Sequence, residues 1–222
     1  MKLTIFNGSP RNKQSNSKLL IDNFLIGYDK ISEKKADVHF IASSKNKEEQ
    51  LKAFQNAEIV IIIFPLYTDS MPGIVKEFFE QIYSLEPSTF KKIGFIVQSG
   101  FPEAIHSTYV EKYLKKFTSR LKCEYLGTII KGGVEGIKIM PPIMTKKLFN
   151  NFQLLGEYFA KNEAFSEKIK TKLAKPLTMS TFRRVSFSFF SFLGFTNFYW
   201  NSNLKKNKAY KKRFDKPLLN KE

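Results

Sequence analysis

The run Glu58-Ile59-Val60-Ile61-Ile62-Ile63-Phe64 holds six apolar residues in succession. Side chains alternate across a strand, so a strand that is apolar at every position leaves neither face for water. It needs cover on both sides, which a parallel sheet between two layers of helices supplies. This one segment already points to a three-layer α/β domain.

The neighbouring sequence supplies the other layers. Residues 2–6 predict a short strand, followed by the turn formers Asn7-Gly8-Ser9-Pro10-Arg11 and a helical pattern through Leu19, Leu20, Phe24 and Leu25. Residues 36–41 predict a second strand, 47–54 a short helix and 58–64 the third strand. A helix through Val75, Phe78, Phe79 and Ile82 comes next, with Pro72 suited to its first turn. Strand 93–97, helix 104–120, strand 125–131 and helix 143–161 complete the alternation. Five strands in this order fit a flavodoxin-like parallel sheet of order 2-1-3-4-5, whose ligand site lies beyond the carboxyl ends of the strands.

Three polar loops fall at those ends. The first, residues 8–17, sets Ser9, Arg11, Ser15, Asn16 and Ser17 just before a helix whose first N–H groups lack intrahelical partners. Hydroxyls, an amide and a guanidinium in that position suit a phosphate, although Ser15 could simply cap the helix. It is neither a Walker P-loop nor a GxGxxG turn. The second loop, Pro65-Leu66-Tyr67-Thr68-Asp69-Ser70-Met71-Pro72-Gly73, can line a flat heterocycle. The third, Gln98-Ser99-Gly100-Phe101-Pro102-Glu103, allows close backbone approach at Gly100 or is an ordinary strand-to-helix turn. Gly132-Gly133-Val134-Glu135-Gly136, after the fifth strand, forms part of a substrate rim or only turns the chain.

Gly8-Ser9-Pro10-Arg11 with Ser15-Asn16-Ser17, then Pro65-Leu66-Tyr67 with Asp69-Ser70-Met71-Pro72, resemble the NADPH-dependent FMN reductase and multimeric flavodoxin family over about the first 160 residues. The resemblance implies FMN as cofactor, with its phosphate in the first loop at Ser9, Arg11, Ser15, Asn16 and Ser17. It implies that Pro65, Leu66, Tyr67, Thr68, Asp69, Ser70 and Met71 wrap the flavin edge, largely through backbone groups, and that Ser99, Gly100 and Phe101 contact its other side. NADPH or NADH is the implied electron donor, and a quinone, free flavin or other small molecule the acceptor. Tyr67 or Phe101 could stack on nicotinamide or acceptor, or pack within the protein. No side chain is assigned as a catalytic residue, because the flavin carries the chemistry. A homodimer or tetramer is implied by the resemblance alone. A non-catalytic FMN electron carrier shares the same fold and cofactor and remains the alternative.

Composition narrows the classes further. The only cysteine, Cys123, excludes an intramolecular disulfide and a cysteine-ligated iron–sulfur cluster within one subunit, and it fits a reducing cytoplasm. His39 and His106 lie far apart, form no metal-ligand spacing and are expected in structural or surface roles. The N-terminal segment lacks the apolar stretch of an export signal, so a cytoplasmic location is expected.

The net charge of +17 is uneven, for residues 164–222 hold 14 basic and 3 acidic side chains. We therefore divide the chain into an FMN-binding domain, residues 1–163, and a basic, aromatic extension, residues 164–222. The extension joins an aromatic stretch over 181–200 to a basic run over 205–213. It is too short and too interrupted to span a bilayer. Its aromatics are expected to dock on the core or on a neighbouring subunit, with peripheral membrane contact as the alternative. No nucleic-acid motif accompanies them, and no nucleic-acid partner is expected.

Overall fold

The computed structural model describes residues 2–43, 47–85, 91–192 and 197–216, apart from the side chains of Phe187, Phe190, Phe198 and Tyr199. Part of the aromatic stretch, residues 193–196, lies outside the described residues. Two compact units divide the chain, residues 1–178 and 179–222.

In the first unit, five parallel strands stand in the order β2-β1-β3-β4-β5, as expected. These are β1 (Leu3–Asn7), β2 (Asp37–Phe40), β3 (Ile59–Pro65), β4 (Lys92–Gln98) and β5 (Glu124–Lys131). Every residue of β3 is buried. Burial of each Val or Ile side chain contributes roughly 1.5–3 kcal/mol relative to exposure, so this strand anchors the sheet. Its alternate side chains enter two different cores, Val60, Ile62 and Phe64 on one face and Ile59, Ile61 and Ile63 on the other.

Helices α1 (Asn16–Tyr28) and α5 (Pro142–Asn162) cover the second face. On the first lie α2 (Lys47–Asn56), α3 (Gly73–Tyr83) and α4 (Thr108–Arg120). Between α1 and α5 the backbones touch. A β-carbon on Gly27 would lie 1.8 Å from the Gln153 carbonyl oxygen, and one on Gly156 would lie 1.9 Å from that of Phe24.

Two boundaries differ from the sequence expectation. Pro72 stands one residue before α3, extended at ψ 148°, rather than inside its first turn. Residues Ala104–Ser107 form a 3₁₀ turn ahead of α4, and the amides of Ala104 and Ile105 donate to the carbonyls of Pro176 and Leu177. Partners 72 residues away in sequence set that turn.

The segment after α5 turns at Glu163, which has left-handed φ 52°, and continues into α6 (Glu167–Leu173). Ser166 caps α6 by accepting from the Ile169 amide. Phe165 and Leu173 enter the core beneath β4 and β5, and the Phe165 ring occupies the space that a β-carbon on Gly94 would need, 2.7 Å away. Residues 164–178 thus lie in the same compact unit as the sheet.

Lys91 is buried just before β4, where its ammonium donates to the carbonyls of Phe54 (2.8 Å), Gln55 (3.3 Å) and Ala57 and so closes the C-terminus of α2. Burial lowers its pKa from the ordinary lysine value. The second unit contains α7 (Thr181–Phe192) and α8 (Phe198–Lys206), followed by a 3₁₀ turn at Tyr210–Lys212.

Candidate functional site

The loop after β1 is built on Asn7. This fully buried side chain accepts from the Ser9 amide at 3.0 Å and donates to Ser15 Oγ at 3.2 Å. Ser15 caps α1, accepting from the Lys18 amide at 3.1 Å while its hydroxyl donates to the Asn12 carbonyl at 2.7 Å. With Asn7 these bonds fill the hydroxyl's capacity of one donor and two acceptors, so Ser15 shapes the loop by holding it. Asn12 adopts left-handed φ 52°, and its side-chain oxygen is buried without a hydrogen-bond partner.

Ser9 and Ser17 are also buried. Ser9 Oγ accepts from the Arg11 amide at 3.4 Å and Ser17 Oγ from Gln98 Nε2 at 3.5 Å, leaving each hydroxyl proton available to a ligand. The first-turn amides of Asn16 and Ser17 are beyond the reach of the helix's own carbonyls. Asn16 Nδ2 donates to the Val134 carbonyl at 2.9 Å, joining the first loop to the segment after β5. Arg11 Nη1 lies 3.5 Å from Glu135 Oε1 across the same gap. A pair this exposed is worth about 0–1 kcal/mol, so an incoming anion can take the guanidinium from the carboxylate.

The second loop contains a tight turn. Tyr67 and Ser70 exchange backbone bonds of 2.8 and 3.1 Å, while Thr68 and Asp69 both take positive φ, 49° and 60°. This is a type I′ turn built without glycine, a conformation that L-residues with a β-carbon adopt at a cost. Leu66 donates its amide to the Gln98 carbonyl at 2.7 Å, which ties the start of the loop to β4. The Thr68 and Asp69 amides take no part in the turn's own bonding.

The third loop is held from its far side. Ser99 Oγ donates to the Phe101 carbonyl at 3.0 Å, and that same carbonyl accepts from the Gly133 amide at 2.8 Å. Gly132 sits where a β-carbon would meet the Phe101 carbonyl oxygen at 2.5 Å, so this close crossing requires glycine. The glycines after β5 therefore do more than turn the chain, since they lock the third loop. Tyr67 and Phe101 keep about half of their surface exposed, at 44% and 52%.

His106 bridges the second and third loops. Its Nδ1 lies 3.6 Å from Asp69 Oδ1, its Nε2 3.6 Å from Glu103 Oε2, and its ring 4.8 Å from that of Phe101. With no metal-ligand spacing, His106 is expected from the sequence only in a structural or surface role, and nothing in the chain points to its place beside Asp69, Glu103 and Phe101. His39, by contrast, stacks on Phe6 at 5.4 Å within the fold. Asn7, Gln98 and Glu135 are likewise organisers of the site that their types alone do not announce.

Tested against a flavin mononucleotide, these residues fit. The phosphate would meet two hydroxyl donors, two helix-start amides and a guanidinium whose existing partner is exposed. Loop amides at Thr68 and Asp69 and apolar surface at Tyr67 and Phe101 suit a flat ring system. All of them stand at the carboxyl ends of β1, β3 and β4, on either side of the point where strand order reverses.

Residues 1–148 match the family described as a flavodoxin-like fold. The chain belongs to that family. No curated protein matches its sequence. Solved structures similar to this flavodoxin-like protein include an FMN-dependent NADH-azoreductase from Bacillus anthracis in complex with FMN, 18% identical, with a TM-score of 0.55 over 72% of this chain and 100% of the other. An NAD(P)H:quinone oxidoreductase from Methanothermobacter marburgensis is 13% identical, with a TM-score of 0.56 over 72% of this chain and 96% of the other. An NADPH-quinone reductase from P. pentosaceus is 17% identical, with a TM-score of 0.53 over 69% of this chain and 96% of the other. At these identities the likeness concerns the flavodoxin-like fold.

Proposed function

We propose that the protein is an FMN-dependent NAD(P)H oxidoreductase that passes electrons from a reduced nicotinamide cofactor to a quinone, a flavin or another small acceptor. The observation that carries this reading is the convergence of a phosphate-type loop at the start of α1 with the Tyr67–Ser70 turn and Phe101 at one end of the sheet. The similar solved structures, a quinone reductase, an azoreductase and a quinone oxidoreductase, support the same class.

Bound FMN would supply the two-electron chemistry, taking hydride from the nicotinamide and returning electrons to the acceptor. The protein's own groups bind and orient. Ser9, Arg11, Asn16 and Ser17 would hold the phosphate, and the Thr68 and Asp69 amides would offer hydrogen-bond donors to the ring edge, where such donors stabilise negative charge. Tyr67 and Phe101 offer stacking surface to whichever planar partner is in the mouth. His106 lies between the two loops that carry those rings.

We also infer a cytoplasmic location and a homo-oligomer. Ile139, Ile143 and Met144, exposed around the start of α5, offer a second subunit an apolar patch.

Anaerobic mixing of FMN-reconstituted protein with NADPH, and separately with NADH, tests the proposal. Rapid bleaching of the flavin band is expected. Bound FMN that neither nucleotide reduces would instead indicate an electron carrier, and failure to take up FMN would overturn the reading.

A further inference from the structure

The unit after Thr178 carries an exposed apolar surface on α7. In α7, Phe182, Val185, Phe189 and Phe192 recur at intervals of three and four, which places them in one stripe of a 3.6-residue helix. All four are exposed, Phe182 at 80% and Phe192 at 87%. A contiguous aromatic stripe facing water is costly, and burial of apolar area is what removes the cost.

Positive charge flanks this stripe in the sequence. Arg183 and Arg184 are exposed in the first turn of α7, and exposed Lys205, Lys206, Lys208, Lys211, Lys212, Arg213 and Lys216 follow. Asp215 is the only acidic side chain among the described residues of this unit. Trp200, on α8, is 64% exposed.

We propose that residues 179–222 dock on a bilayer surface that contains anionic lipid. The stripe matches the boundary between headgroups and acyl chains, and the cations match the negative charge of the headgroups. No helix among the described residues is long and apolar enough to cross a membrane, so α7 would lie in the plane of the interface.

Other occupants fit less well. A second copy of this unit would set like charge against like, since its 44 residues hold 10 basic and 2 acidic side chains. Single-stranded nucleic acid stacks its bases on aromatics that lie along a cationic groove. Here most of the cations follow α8 in the sequence, apart from the stripe on α7.

The docking does not rest on the redox reading, and its test uses the full chain with no nicotinamide present. The protein is mixed with vesicles of phosphatidylcholine alone or with about one-third phosphatidylserine, and sedimentation is followed alongside the emission of Trp200, the only tryptophan. We expect binding to the anionic vesicles at least about ten-fold tighter than to the neutral ones, weakened by salt and accompanied by a blue shift of Trp200 emission.

Phe182→Ser with Phe192→Ser should abolish the shift and most of the binding. Lys211→Glu with Lys212→Glu should weaken binding about ten-fold or more while leaving FMN uptake intact. Circular dichroism identifies a variant that has lost its helices, and the lysine pair, outside α7, then carries the test. Absence of binding to anionic vesicles at low ionic strength would overturn the proposal. So would uptake of a single-stranded oligonucleotide with no vesicle binding, or sedimentation showing that the Phe182/Phe192 variant halves in mass while vesicles bind neither protein, which would assign the stripe to a second copy.

Discussion

Gly156 of α5 lies so close to Phe24 of α1 that a β-carbon on it would stand 1.9 Å from the Phe24 carbonyl oxygen. The obstacle is backbone, which cannot rotate away as a side-chain tip can. Gly156→Ala must therefore separate the two helices, and overpacking of this kind costs roughly 1–3 kcal/mol. Urea unfolding of the apoprotein is expected to show a lower midpoint with an unchanged slope. Stability equal to the wild type would mean that the helices part without cost.

Asn7 holds the first loop from beneath through the Ser9 amide and the Ser15 hydroxyl. Removing it leaves buried polar groups unsatisfied, at about 1–3 kcal/mol. Asn7→Ala should lower stability and also weaken FMN binding, because the loop loses its shape. Flavin fluorescence titration beside thermal unfolding separates the two effects, and an unaffected FMN affinity would show that the loop orders itself without Asn7.

Arg11 is expected to act on the phosphate and not on the ring. Arg11→Gln should weaken FMN binding roughly ten-fold, the scale of one charge-assisted hydrogen bond, while riboflavin binding stays level. Equal losses for FMN and riboflavin would place the guanidinium elsewhere.

Thr68 adopts φ 49° with a branched side chain. Asparagine tolerates this region better, so Thr68→Asn should raise stability by roughly 0.5–1 kcal/mol. FMN affinity should change less than three-fold, because the contribution of this turn to the site is its backbone amides. A large loss of affinity would assign the threonine hydroxyl a direct contact.

Tyr125 is half-buried in β5, with its hydroxyl 2.7 Å from that of Thr128, and burial pushes its pKa up to about 12. The folded state therefore keeps this proton over a range in which the unfolded chain, with an ordinary value of about 10, has lost it. Stability should fall as pH rises from about 10 to about 12. Below that window both states are protonated and the effect is constant. Subtracting the stability profile of Tyr125→Phe from that of the wild type isolates this component, and parallel profiles would refute it.

Strand order and the three loops are legible in the sequence because they rest on local patterns. The unbroken apolar run of β3 demands a double cover, and the polar clusters after β1, β3 and β4 can only fall at the carboxyl edge. What escapes a reading of the chain depends on partners far apart in sequence. The bridge from His106 to Asp69 spans 37 residues, the amide of Asn16 reaches Val134, and the 3₁₀ turn at Ala104 is set by carbonyls near Pro176. None of these leaves a periodicity. The role of Ser15 is legible as to place and only half legible as to purpose, since capping and ligand binding draw on the same residue types.

Phe165 seals a gap in the sheet's cover that Gly94 leaves open. Cutting the chain at the end of α5 would expose a recess about the size of a benzene ring under β4 and β5, inviting water or a stray apolar solute into the interior. The joint at which this protein can exchange its tail therefore lies past Thr178. The last helices can be exchanged from Met179 onward, while the flavodoxin-like sheet upstream keeps its roof.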